Sequence, residues 1–250
     1  MKKIFTITAS ALVLAAPAIS AQGQGQQEGP SVKDAAAYLA INSSTIGALP
    51  PLATNTLAAA GGMSWHFQYG RMSWDEDHSS NSIGGGLDIG LGRGRIGFTA
   101  GYMMADCPSA EQCDGHLMVG TRYSNQLTGA SFANGGRWQM GIEGELGVGL
   151  PEEQRALAIS AGLPVKLTFG KNIKVSPFLT PAFAHGSYKF SDEESESAMK
   201  FMVGTGVGIA MRNGVGLNFG LRKVFVDEGK SQYGLGFTYR PTASRSGSRR

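Results

Sequence analysis

From Met63 almost to the end of the chain, apolar residues alternate one for one with small or polar ones. In 201–212, Phe201, Val203, Thr205, Val207, Ile209 and Met211 form one row, while Met202, Gly204, Gly206, Gly208, Ala210 and Arg212 form the other. In 157–169, Leu157, Ile159, Ala161, Leu163, Val165, Leu167 and Phe169 alternate in the same way with Ala158, Ser160, Gly162, Pro164, Lys166 and Thr168. Successive side chains of a strand point to opposite faces, so each segment has one apolar face and one face of glycine and polar groups. The pattern predicts strands at 63–72, 82–91, 96–105, 116–124, 138–150, 156–169, 173–189, 201–212, 215–226 and 232–240. Ten is an even number, and each segment reaches the roughly 9–11 residues that a tilted strand needs to cross a bilayer. Eight or twelve strands fit the same alternation.

The chain before Met63 reads differently. Lys2 and Lys3 precede an apolar run from Ile4 to Leu14, and Ile19-Ser20-Ala21 offers a small residue at a cut site, which predicts a signal peptide over 1–21. Residues 22–62 form a leader, polar at first and then helical from Ser31 through Leu39. Pro50-Pro51 ends that regularity, and the leader either fills the barrel or hangs in the periplasm. Residues 63–240 form the barrel, and 241–250 a basic tail.

Composition decides which face is inside. The 250 residues include 37 Gly, about twice the usual share, and only 16% are charged. A water-facing surface built mainly of glycine is unusual for a soluble barrel. The same rows suit a membrane barrel, with apolar side chains to lipid and small or polar ones to the lumen. In hydrocarbon the sheet must also close, because every backbone group needs an internal partner. The expected fold is all-β: a closed antiparallel transmembrane β-barrel of about ten strands with a short N-terminal helical segment. With two Cys and no apolar stretch near 20 residues beyond the first 21, a disulfide-dense scaffold and a polytopic helical protein are excluded. Net charge is +3, or +1 without Lys2 and Lys3, which gives no basis for nucleic-acid binding.

Loop charge orients the barrel. The connections 73–81, 106–115, 151–155, 190–200 and 227–231 hold 14 of the 19 acidic residues. Most of the opposite connections, such as Gly92-Arg-Gly-Arg95 and Arg212-Asn-Gly-Val215, are short and basic. Short turns on the periplasmic side and longer loops outside are usual for such barrels. The connection 125–137 is long on the side expected to be short.

The last strand contains Gln232, Gly234, Phe237 and Tyr239 at spacings that resemble the closing-strand signal of bacterial outer-membrane β-barrels. With the signal peptide and the glycine-rich alternation, residues 63–240 resemble the small outer-membrane proteins with an OmpA/OmpX-like barrel domain. The resemblance implies a Gram-negative outer-membrane location and insertion by the barrel-assembly machinery. It also implies outer-membrane lipid and lipopolysaccharide as surroundings.

Candidate chemistry is sparse. Cys107 and Cys113 sit in one external connection and are expected to form a small disulfide clip in an oxidising compartment. Glu143 and Glu145 share a lumen-facing row, with Arg122 and Lys166 inward on the flanking strands; these four predict an ion-paired filling or, alternatively, a charged constriction. His185 and Ser187 lie on one face near the outer rim, with Glu193, Glu194 and Glu196 following. Ser, His and a carboxylate are the acyl-transfer set, and the His-x-Ser pair resembles that of outer-membrane lipid A deacylases. Asp75, Asp77, His78 and the Asp192–Glu196 run carry cation-ligating oxygens without EF-hand spacing. The GxGxxG match at 92–97 reads as a hairpin turn, since a strand follows it. Trp65, Phe67, Tyr69, Tyr102, Tyr123, Trp138, Phe237 and Tyr239 are candidates for interfacial girdles. The expected function is therefore a structural or passively permeable barrel, with no enzyme active site, metal or cofactor and no nucleic-acid partner. A rim lipid hydrolase and a surface adhesin acting through acidic loops are the alternatives.

Overall fold

The computed structural model describes residues 32–52, 62–73, 79–106, 115–132, 135–151, 154–189, 195–225 and 231–241. Two helices, α1 (Val32–Asn42) and α2 (Thr45–Ala48), precede eleven strands. These are β1 (Met63–Ser73), β2 (Ser79–Leu91), β3 (Gly94–Asp106), β4 (His116–Ser131), β5 (Arg137–Leu150), β6 (Arg155–Gly162), β7 (Val165–Thr168), β8 (Ile173–Lys189), β9 (Glu196–Met211), β10 (Val215–Phe225) and β11 (Ser231–Tyr239). β6 and β7 occupy one position in the wall, since both pair with β5 on one side and β8 on the other. Pro164 has no N–H for the ladder and splits the predicted strand 156–169 in two. Bonds from Gly141 N to Pro164 O (3.0 Å) and from Leu163 N to Pro181 O (2.9 Å) hold the break in register.

With β6 and β7 taken as one, each wall strand pairs antiparallel with its sequence neighbour, and β1 closes on β11 from Trp65↔Tyr239 to Met72↔Gln232. The result is a closed barrel of ten wall positions. Closure leaves no sheet edge, which is what a strand protein in hydrocarbon requires. No helix among the described residues is long and apolar enough to cross a membrane.

One connection differs from the sequence reading. β4 does not stop near 124 but runs to Ser131 and pairs with β5 down to Ser131↔Arg137, with a shift of register between Gln126 and Thr128. The bulge puts one extra residue, Leu127, into the strand and displaces the alternation beyond it. Thr128–Ser131 are exposed throughout, so this stretch has no buried face to leave an apolar row in the sequence. The apparent long connection is an extended hairpin, closed by a bond from Phe132 N to Gly136 O at 2.7 Å, with Gly135 at φ 83°.

The faces are arranged as the pattern predicts. Phe219 (53% exposed), Leu235 (59%), Ile159 and Phe98 belong to an outer apolar belt, whereas Ser64, His66, Gln68, Asp88 and Arg222 are buried inside. Trp65, Tyr123 and Tyr239 flank the tight-turn end of that belt, and Tyr69 and Tyr102 the long-loop end; Trp138 is half-buried. Hydrocarbon rather than water is the matching solvent for such an exterior. Phe219→Arg, near the middle of β10, is accordingly expected to lower unfolding stability in lipid vesicles by about 2–4 kcal/mol. An unchanged denaturant midpoint would mean that this face does not meet hydrocarbon.

The lumen is filled by the chain's own N-terminal segment. Ala36, Ala37, Ala40, Ile41, Leu49 and Leu52 are buried, and Ile41 and Ile46 pack with Ala158, Ala182, Ala184, Met202 and Val224 of the wall. The inward glycines make the space. A Cβ on Gly147 would stand 2.9 Å from Thr45 Oγ1, one on Gly84 2.8 Å from Leu49 Cδ1, and one on Gly236 2.7 Å from Leu52 Cδ2. On Gly220 it would meet the Pro51 carbonyl at 2.9 Å, and on Gly234 the Pro50 ring at 2.9 Å. Of the two placements open to the leader, residues 32–52 take the lumen.

Candidate functional site

Below the N-terminal segment, charged side chains from five strands form a ladder across the lumen. Arg122 on β4 lies directly opposite Glu145 on β5 in the strand register. One guanidinium nitrogen, Nη2, donates to Asp88 Oδ1 at 3.1 Å, and Nη1 stands 3.9 Å from Glu145 Oε1. Asp88 also takes His66 Nδ1 at 3.1 Å, while His66 Nε2 is 3.2 Å from Thr99 Oγ1. At the other end Arg222 Nη2 reaches Glu145 Oε2 at 3.5 Å, and Arg222 Nη1 points to the carbonyl of Leu49 at 3.5 Å. The ladder thus runs His66–Asp88–Arg122–Glu145–Arg222 and ends on the N-terminal segment itself. From Asp88 to Arg222 opposite charges alternate, so each of these buried charges has a neighbour of the other sign, the condition under which burying ions is tolerable.

Of the four predicted lumen charges, the ladder unites Arg122 and Glu145. Glu143 is buried one row away, opposite Ser124 and Gly162, and its Oε2 has no hydrogen-bond partner among the described residues. Lys166 is buried on β7, in the row of Gln139 and Phe178. Asp88, His66 and Arg222 escaped the sequence reading. Each sits at an inward position of its own strand, so the alternation places it in the lumen, but the contacts skip a strand (Asp88 to Arg122) or cross the lumen (Arg222 to Glu145), which no single strand's pattern shows.

The N-terminal segment is tied to the wall at several levels. His116 Nε2 donates to Ser43 O at 2.8 Å, Ser82 Oγ donates to Ala48 O, and Lys200 pairs with Asp34. A cavity bounded by Thr45, Leu49, Gln68, Arg122, Glu145 and Arg222 measures about 30 Å³, and another beside Glu143 and Arg222 about 10 Å³. The larger has room for a water molecule or two. Neither is a passage.

His185 and Ser187 both point outward on β8, His185 exposed and Ser187 half-exposed. Their wall neighbours are Ile159 and Met199 for His185, and Leu157 and Ser197 for Ser187. Glu196 pairs with Tyr188, which faces the lumen, and so takes the opposite face. Among the described residues no hydrogen bond joins His185 to Ser187, and no carboxylate stands behind the imidazole to orient it. Glu193 and Glu194 lie outside the described residues, as do Cys107 and Cys113 with their expected disulfide, and the cation candidates Asp75, Asp77, His78 and Asp192.

Gln232 and Gly234 face the lumen, Phe237 and Tyr239 face outward, and Phe237 and Tyr239 lie opposite Phe67 and Trp65 of β1. A closed wall, an apolar exterior and a polar filled interior occur together. The fold is that of a small outer-membrane β-barrel. No protein-family model matches the sequence, and no curated protein does. Solved structures similar to it include the beta domain of the Bordetella autotransporter BrkA, at 13% identity over 73% of this chain and 100% of that one, with a TM-score of 0.42. The transport unit of the autotransporter AIDA-I from Escherichia coli gives 10% identity over 72% and 90%, with a TM-score of 0.45. The outer membrane enzyme PagL gives 11% over 71% and 99%, with a TM-score of 0.35. These barrels carry different activities, and likeness at this level transfers none of them.

Proposed function

We propose that the protein is an outer-membrane barrel of structural type, plugged by its own N-terminal segment and without an enzyme active site. A signal peptide over 1–21 exports it, the barrel-assembly machinery inserts it, and lipopolysaccharide surrounds its outer rim. The observation that supports this reading best is the fit between residues 36–52 and the inward glycines. A side chain at Gly84, Gly147, Gly220, Gly234 or Gly236 would collide with that segment, so the wall is shaped to hold it. The passive-pore variant requires that segment to leave.

The test is single-channel recording of the refolded mature chain in a planar bilayer. Membrane insertion with no steady current is expected. A steady, salt-dependent current from the intact chain would contradict the plugged reading.

Among the described residues no carboxylate stands behind His185, which carries a separate expectation. His185→Ala and Ser187→Ala are expected to leave the acylation of lipid A in expressing cells unchanged, as read by mass spectrometry. An acylation change present with the native chain and lost with Ser187→Ala would establish the hydrolase instead.

A further inference from the structure

The direction in which the N-terminal segment threads the barrel has a consequence for the chain upstream of it. β1 starts and β11 ends at the tight-turn end, the periplasmic one in the reading above. The segment begins at the other end. Ala36 and Ala40 pack on Ala156 and Tyr188, the second residue of β6 and the second-last of β8, both beside long connections. Asp34 pairs with Lys200, near the start of β9 at the same end. Ser43 is still at that end, against His116, the first residue of β4, and the chain then descends: Ala48 meets Ser82, and Leu52 reaches Gly236, past the middle of β11. Beneath α1 the lumen is already occupied by residues 41–52 and the charge ladder, with cavities of about 30 and 10 Å³. Among the described residues, this filling stands between α1 and the periplasmic end.

We propose that the chain upstream of Val32 emerges at the long-loop end, so that the barrel displays its own N-terminal leader on the outer face of the cell. This rests on the outer-membrane reading and adds a role to it: the barrel is the anchor, and the segment 32–52 the stem, of a surface-exposed polar leader. The stem is held by the Asp34–Lys200 pair and by the close approach of the Ala37 backbone to Gly186, where any side chain would collide.

The experiment places an epitope followed by a specific protease site between Gly25 and Gln26 of the full chain. A control chain carries the same insert between Ser109 and Ala110, in the β3–β4 connection. Added protease is expected to remove the leader epitope from intact cells as completely as it cuts the control. A leader cut only after the outer membrane is permeabilised, or not cut at all while the control is cut on intact cells, overturns the proposal. A control insert cut only after permeabilisation sinks the barrel orientation instead, so the two failures are told apart.

Discussion

A chain lacking residues 32–52 conducts ions steadily in a planar bilayer, where the intact mature chain is silent. This is the largest change expected of any variant. The wall does not depend on the segment for its hydrogen bonds, because every strand pairs with two others and β1 closes on β11. Removing the segment therefore leaves a closed barrel, but one whose inward rows at Gly84, Gly147, Gly220, Gly234 and Gly236 face empty space. Water fills such a polar lumen. The walls then present Asp88, Glu143 and Glu145 against Arg95, Arg122, Lys166 and Arg222, a small excess of positive charge that favours anions. Refolding is checked by heat-modifiable mobility before the recording. If the shortened barrel refolds and stays silent, something other than residues 32–52 blocks the lumen.

Arg122→Ala is expected to cost about 3–5 kcal/mol of unfolding stability, because it strands buried charge on two partners at once. Asp88 keeps His66, and Glu145 keeps Arg222 at 3.5 Å, which holds the loss toward the lower end of that range. Arg122→Lys retains the charge but lacks the fork that spans both carboxylates, so a smaller loss is expected. Removing both charges, with Asp88→Asn and Arg122→Met together, is expected to recover part of the single-variant loss, since no unpaired ion remains at that rung. Denaturant midpoints in lipid vesicles read all three. A loss below about 1 kcal/mol for Arg122→Ala would mean that the ladder behaves as a hydrated surface pair.

The wall was legible in the sequence because its signal is local. Alternation with period two needs only the strand itself. Where the signal lapsed, a physical event had removed it. Pro164 split one strand, and the bulge at Leu127 shifted the phase of another into a stretch with no buried face. The lumen was less legible because it is assembled by closure. Arg122 and Glu145 are inward charges on adjacent strands, but Asp88 reaches Arg122 over the intervening β3, and Arg222 reaches Glu145 across the lumen from β10. Many inward glycines make room for the N-terminal segment, and nothing in Ala35-Ala-Ala-Tyr-Leu-Ala-Ile41 says which wall it will meet.

The threaded segment is the centre of this account, and a cross-link tests it most directly. A Cβ on Gly204 would lie 3.5 Å from Pro51 Cβ, within the range of a disulfide. In a Cys107→Ser/Cys113→Ser background, Pro51→Cys with Gly204→Cys is expected to form that bond almost completely under mild oxidation in native membranes. The product is read as a mobility shift on an unreduced gel. Two free thiols that both react with maleimide, in a barrel that is otherwise folded, would show that residues 32–52 do not lie in the lumen.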